Sequence, residues 1–258
     1  MRMHVFAACL LATTALTGCA TTAVTDQTES TAASAAFTAA QADVARLAAQ
    51  ANQNVLLAPW TGPHGGVPPW DHADPALIPA ALELGVALQE AEIQAIAKNP
   101  AAPSFDNTMA PLQNAGRHLD RATTIFSIMT DNVSTPAIQQ LEADWSPRLT
   151  ASFNAITFNR DLFARINDLY ARRASLGLSA EQLRLLERTR DQFARAGAAA
   201  TPEQQARLGA INEELSSKFA DFGRRLLADE NTAIFINRQS DLAGLPQNMR
   251  EAFAAAAA

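Results

Sequence analysis

Along most of this chain apolar residues recur every three or four positions, the spacing of one helix face. Leu77, Ile78, Leu82, Val86, Ile93 and Ile96 share one side of a segment that opens on Asp74-Pro75 and closes at Asn99-Pro100. Asp74 is an N-cap followed by proline at the first helical position. Thr108 opens a second segment, in which Leu112, Leu119, Ala122, Phe126 and Met129 form a stripe. Thr135-Pro136 starts a third, with Leu141, Trp145, Leu149 and Phe153 on one face, and Asn159 caps a fourth carrying Leu162, Phe163, Ile166, Leu169 and Tyr170. Ser179-Ala180-Glu181-Gln182 and Thr201-Pro202-Glu203-Gln204 have capping-box spacing, so hydroxyl and amide side chains satisfy the orphan N–H groups of two further helix starts. In the last helix Leu208, Ile211, Leu215, Phe219, Phe222 and Leu226 alternate at three and four, the seam of a long packed helix.

Between these segments the pattern breaks. Leu57 to Trp70 is so dense in Pro and Gly that regular structure is excluded, yet its two Trp residues suggest a loop that packs over a surface. Phe37 to Gln50 places Val44 and Leu47 at helical spacing but is only weakly amphipathic. Ala20 to Ala36, rich in Thr, Ser and Ala, has too few large apolar side chains to offset its ordering entropy and reads as a flexible tether. Past Glu230, Ala233 to Ile236 has the composition of a short strand with no visible partner, and Asp241 to Pro246 reads as a turn.

The first residues read as an address. Arg2 and His4 precede an apolar run from Val5 to Leu16, too short to span a bilayer, which ends in Leu16-Thr17-Gly18-Cys19-Ala20. That ending resembles a bacterial lipobox: small residues admit the signal peptidase, and the Cys19 thiol is the nucleophile that takes the diacylglyceryl group. Cys19 is therefore the expected lipid attachment site, holding the protein on the periplasmic side of a bacterial membrane, the outer membrane being the expected one. The alternative is ordinary cleavage near Ala20 or Ala23. Cys9 would leave with the signal, and the mature chain would rely on packing alone.

Composition agrees with a folded helical body. The 258 residues are 48% hydrophobic and 18% charged, with a mean hydropathy of -0.05. Val and Ile are too sparse for many strands. A net charge of -6 argues against nucleic acid as a partner, because phosphate neutralisation needs a basic surface. Cations outnumber anions from Trp145 through Arg225, and the adjacent pairs Arg172-Arg173 and Arg224-Arg225 read as solvated helix faces paired with nearby carboxylates.

Three stretches carry a resemblance. Trp60-Thr61-Gly62-Pro63-His64-Gly65-Gly66-Val67-Pro68-Pro69-Trp70, Pro103-Ser104-Phe105-Asp106-Asn107-Thr108 and Gly116-Arg117-His118-Leu119-Asp120-Arg121 are similar, in this order, to the peptidyl-dipeptidase Dcp branch of the thimet oligopeptidase family of zinc metallopeptidases. Thr135-Pro136, Asn159 to Arg165, Ala206 to Asn212 and Asp241 to Pro246 continue the likeness. The resemblance implies an all-α fold, an antiparallel helical bundle forming the N-terminal wall of a channel that admits short peptides. The expected division is a lipoprotein signal peptide over 1–18, a flexible tether with a weak helix over 19–53, and an incomplete N-terminal domain over 54–258.

Family catalysis requires His-Glu-x-x-His on a helix and a later Glu: two imidazoles one turn apart bind zinc and the Glu activates its water. That motif is absent from this sequence, whose histidines are His4, His64, His72 and His118. Two loop histidines without a third donor are more often loop surface than ligands, and His118 beside Asp120 reads as a helix-surface or packing residue. No Gly-x-Ser-x-Gly, P-loop or Rossmann fingerprint is present either. The expectation is thus no catalytic residue, metal ligand or cofactor in this chain, with zinc supplied in the full-length family enzyme and short peptides as partners once a catalytic half is present. The alternative is a stand-alone helical surface lipoprotein that binds peptides or a protein partner. Either way, a wall without its other half exposes an apolar patch.

Overall fold

The computed structural model describes residues 18–133, 135–230, 236 and 238–256, with side chains from residue 31 onward. Nine α-helices follow one another among them: α1 (Gly18–Ala51), α2 (Ile78–Ala97), α3 (Ala110–Asn114), α4 (Arg117–Asn132), α5 (Pro136–Thr157), α6 (Arg160–Arg172), α7 (Ala180–Arg195), α8 (Pro202–Glu230) and α9 (Gln247–Ala256). The described residues form no strand. The fold is all-α, and none of the described helices is long and apolar enough to cross a membrane.

Apart from the one placed at Thr108, the starts read from the sequence are made by the residues that announce them. Thr135 accepts from the Ile138 N–H, Asn159 from Leu162, and Ser179 and Thr201 each close a reciprocal box with Gln182 and Gln204. Asp74 accepts from the Ala76 N–H and opens a short 3-10 turn that leads into α2. α5 runs on through Pro147, which cannot donate to the carbonyl of the preceding turn.

Two apolar cores lie along the molecule, and α2 enters both. The first gathers Leu47 and Ala51 of α1, Leu56 and Leu57, Ile78, Leu82 and Leu88 of α2, Leu119, Ile125 and Phe126 of α4, and Trp145 of α5. The second joins Ile93 and Ile96 of α2 to Met109, to Leu162, Ile166 and Leu169 of α6, and to Leu186 and Phe193 of α7. Phe163 and Phe193 stack with ring centroids 6.4 Å apart. Neighbouring helices are antiparallel where their contacts fix direction. Gly85 and Glu92 of α2 meet Leu119 and Gly116 at the start of α4, and Asn167 and Phe163 of α6 meet Arg190 and Phe193 of α7.

Four expectations change. The stretch expected to be a flexible tether, Ala20 to Ala36, belongs to helix α1, and the weak helix expected over Phe37 to Gln50 is its later half, which packs along α2 with Ala40, Leu47 and Ala51 buried. Alanine-rich sequence without Gly or Pro favours the helix, and a narrow stripe of small residues suffices when a neighbour lies close. The single segment opened by Thr108 is divided. Ser104 caps a π-helical turn over Phe105–Met109, α3 follows, and Gly116 at φ 84 turns the chain into α4. Leu112 consequently packs in the second core while Leu119 to Met129 enter the first. Phe153 is exposed although its stripe partner Trp145 is buried.

The fourth change concerns α8. Its apolar seam is not packed: Ile211, Leu215, Phe219, Phe222 and Leu226 are exposed, Phe219 at 71%. α8 lies antiparallel on α5 through a different face, where Gln205, Gly209 and Ala220 are buried and Asn212 donates to the Asn154 side chain at 2.8 Å. Small residues there let the two helix axes approach closely, and the large apolar residues are left about a quarter turn away. The Ala233–Ile236 strand expectation falls outside the described residues apart from Ile236. At the end, Met249 and Phe253 of α9 are exposed.

Candidate functional site

The Pro-Gly loop folds back on itself. The Val67 N–H donates to Thr61 O at 3.0 Å, and Gly62, Gly65 and Gly66 take φ values of 103, 86 and 119, which L side chains rarely adopt. A Cβ on Gly66 would stand 2.6 Å from the Trp60 carbonyl oxygen, so only glycine fits. The closed loop and the residues beside it line a cleft of about 550 Å³ that includes Trp60, Trp70, Pro68 and His72. His64 and His72 are exposed there, and neither belongs to a metal-ligating group among the described residues.

The Gly116 to Arg121 stretch is an anchor. The Gly116 N–H donates to Glu92 Oε2 at 2.7 Å, His118 Nε2 lies 3.2 Å from Asn52 Oδ1, and Arg121 Nη1 donates to Leu57 O at 2.8 Å. It ties the start of α4 to α2, to the end of α1 and to the chain entering the loop. Burial raises the Glu92 carboxyl above its ordinary pKa, the Gly116 N–H opposes the rise, and nearby Asp120 adds to it. Asp120 is itself raised by burial against the pull of Arg121 and Arg117. Burial, with the Arg121 charge, lowers the His118 pKa and favours the neutral ring.

Pro103 to Thr108 is held by Arg165, a residue whose role periodicity does not reveal. Arg165 is 8% exposed as a residue, and its guanidinium has only neutral oxygens as hydrogen-bond acceptors. Nη1 donates to Asn99 O at 2.7 Å and Ala101 O at 3.1 Å, Nη2 to Asn107 Oδ1 at 2.8 Å, and Nε to Thr108 Oγ1 at 3.3 Å. Arg172 adds a bond to Pro103 O and pairs with Asp168. Two signals for it lie in the sequence: Arg165 closes the Asn159 to Arg165 stretch of the likeness, and it stands three residues after Leu162 and four before Leu169 on the buried face of α6. The other arginine pair lies on a solvated face, both members bonded to Asp221 at 2.7 Å.

Two more clefts open between helices. One of about 320 Å³ lies between α1, α2 and α3, with Phe37, Val44, Glu92 and Asn107 among its walls. The other, of about 380 Å³, lies between α2 and α5. Among the described residues there is no group of three or more His, Cys, Asp or Glu side chains able to hold a metal ion. Cys19 falls in α1, where the side chain is outside the described set.

No family model matches the chain. Over 168 residues it is 36% identical to the dipeptidyl carboxypeptidase of Escherichia coli (strain K12), a match covering 65% of this chain and 25% of that protein. Over 178 residues it is 38% identical to the dipeptidyl carboxypeptidase of Salmonella typhimurium, covering 68% and 26%. The chain thus spans about a quarter of the length of these curated relatives. Through the matched two thirds, this chain is a dipeptidyl carboxypeptidase-like N-terminal part.

Proposed function

We propose that this helical body is the non-catalytic N-terminal wall of a zinc-dependent peptidyl-dipeptidase, limiting access of short peptides to chemistry carried out by residues outside this sequence. The identity to two dipeptidyl carboxypeptidases over two thirds of the chain carries the reading. The exposed seam of α8 supports it, because Leu215, Phe219, Phe222 and Leu226 offer a ready-made apolar face for the remaining mass of a longer peptidase. Alone, the chain binds no zinc and hydrolyses nothing: with no His-Glu-x-x-His there is no means here of activating a water or polarising a scissile carbonyl. Its role is steric and scaffolding. Cys19 carries the lipid that keeps the body on the periplasmic face of a bacterial membrane, in line with the lipobox-like run before it.

The test is incubation of residues 20–258 with zinc and an N-blocked tetrapeptide, following release of the C-terminal dipeptide. No release is expected, and no stoichiometric metal should remain after gel filtration. Chelator-sensitive cleavage by this polypeptide would overturn the proposal. Metabolic labelling with a radioactive fatty acid checks the anchor separately: label should enter the wild type and be lost in Cys19→Ser.

A further inference from the structure

We propose that the exposed stripe of α8 is the interface of an antiparallel dimer, its occupant being the same stripe of a second copy of this chain. The stripe repeats at an eleven-residue interval, Leu208 matching Phe219, Ile211 matching Phe222 and Leu215 matching Leu226. That period stays nearly straight along a helix, so the surface that matches it is another straight helix. From Ile211 to Leu226 it runs about 22 Å. Its side chains leave roughly 500 Å² of apolar surface in one patch, at the upper end of what a monomer carries.

Charge selects the second copy and its direction. Glu214 holds Lys218 at 3.3 Å, and the adjacent Glu213 leaves this half of α8 with an excess of carboxylate. Toward the other end a single carboxylate, Asp221, serves both Arg224 and Arg225 at 2.7 Å, an excess of cation. A copy laid antiparallel, with the two-fold axis at Phe219, sets Glu214 of each chain beside Arg225 of the other and Arg207 beside Asp229. Both pairs lie on the flank turned away from α5. A parallel copy would set Glu214 against Glu214 and Arg225 against Arg225. The antiparallel register also brings Leu215 opposite Gly223, where a Cβ would meet nothing within 4 Å. A membrane is a poorer occupant, because α8 carries six acidic and four basic residues, not the cationic polar face that anionic lipid attracts. Two stripes with their flanks bury about 1,000–1,200 Å² in total, the lower end for a specific interface, which sets a weak dimer. A longer chain that folds its own residues over the stripe competes with the copy. The dimer and the peptidase reading therefore fail on different measurements, association in one case and dipeptide release in the other.

The experiment is sedimentation equilibrium on the full chain with Cys9 and Cys19 replaced by Ser. A monomer–dimer equilibrium with a Kd of about 10–100 μM is expected. Glu214→Arg should weaken it about tenfold, and adding Arg225→Glu should restore it, a recovery that general surface stickiness does not give. In a glutathione redox buffer Phe219→Cys should cross-link to a covalent dimer. Leu226→Cys, about 20 Å from its counterpart across the axis, should not. Equal cross-linking of the two would place the copies in parallel and overturn the proposal. So would a monomer at about 200 μM, which leaves the stripe to another occupant. Association that is the same in the parent chain, in Glu214→Arg and in the charge swap would overturn it as well.

Discussion

Arg165→Met is the sharpest test of how this fold is held. Methionine keeps most of the length of the arginine stem and removes the charged head, so the four bonds to Asn99, Ala101, Asn107 and Thr108 are lost together. Bonds from a charged donor contribute about 1.5–3 kcal/mol each when taken singly. The four do not add. Asn99 and Ala101 stand at exposed or half-exposed positions and can be rehydrated, Asn107 Oδ1 keeps the Ser104 N–H at 2.8 Å, and the Thr108 hydroxyl still donates to Asn107. Removing a buried charge also recovers desolvation, which already depresses the Arg165 pKa. The balance is a loss of about 2–4 kcal/mol, a large fraction of the stability of an ordinary domain. Urea unfolding followed at 222 nm should show the midpoint fall with unchanged slope, and amide exchange at Ser104 and Asn107 should rise first. Arg165→Lys, with a single ammonium for four acceptors, should fall between. A Met variant within about 0.5 kcal/mol of wild type, with protection at Ser104 unaltered, would refute the assignment of Arg165 as the post that holds this turn.

Further outcomes follow from the same structure. Gly66→Ala should cost about 1–3 kcal/mol and break the Thr61–Val67 closure, seen as a change in Trp fluorescence, because φ of 119 and a Cβ 2.6 Å from Trp60 O both oppose any side chain. Glu92 has a folded pKa above its unfolded value near 4.5, so its contribution to stability grows as pH falls through the folded pKa and is complete below about 4.5. Glu92→Gln, which can still accept from Gly116, should remove that slope. It should be more stable than wild type at pH 7 and converge with it below about pH 4.5, as thermal melts across pH would show. Replacing Phe219 and Phe222 by Ser should leave the melting temperature nearly unchanged, since both are exposed, and should reduce self-association measured by analytical ultracentrifugation.

Helix starts were legible because a cap is local chemistry. Thr135, Asn159, Ser179 and Thr201 each bond within three residues, so sequence spacing contains the whole interaction. Stripes were legible as helix faces but not as core. Periodicity says which residues share a side of α8, and cannot say that Gly209 and Ala220, a quarter turn away, form the side that meets α5. α1 was undervalued for the converse reason: Ala40 and Ala51 add little hydrophobicity of their own and are buried because α2 is there. The break at Gly116 and the Arg165 contacts depend on partners 24 and as many as 66 residues away, which no local window holds.

One rod, α2, presses Ile78, Leu82 and Leu88 into the first core and Ile93 and Ile96 into the second. Its 20 residues make it about 30 Å long. Melting either end frays the other, so the two apolar centres are expected to open in a single concerted event. Damage near Trp145 would then be felt at Phe193, which belongs to the other core.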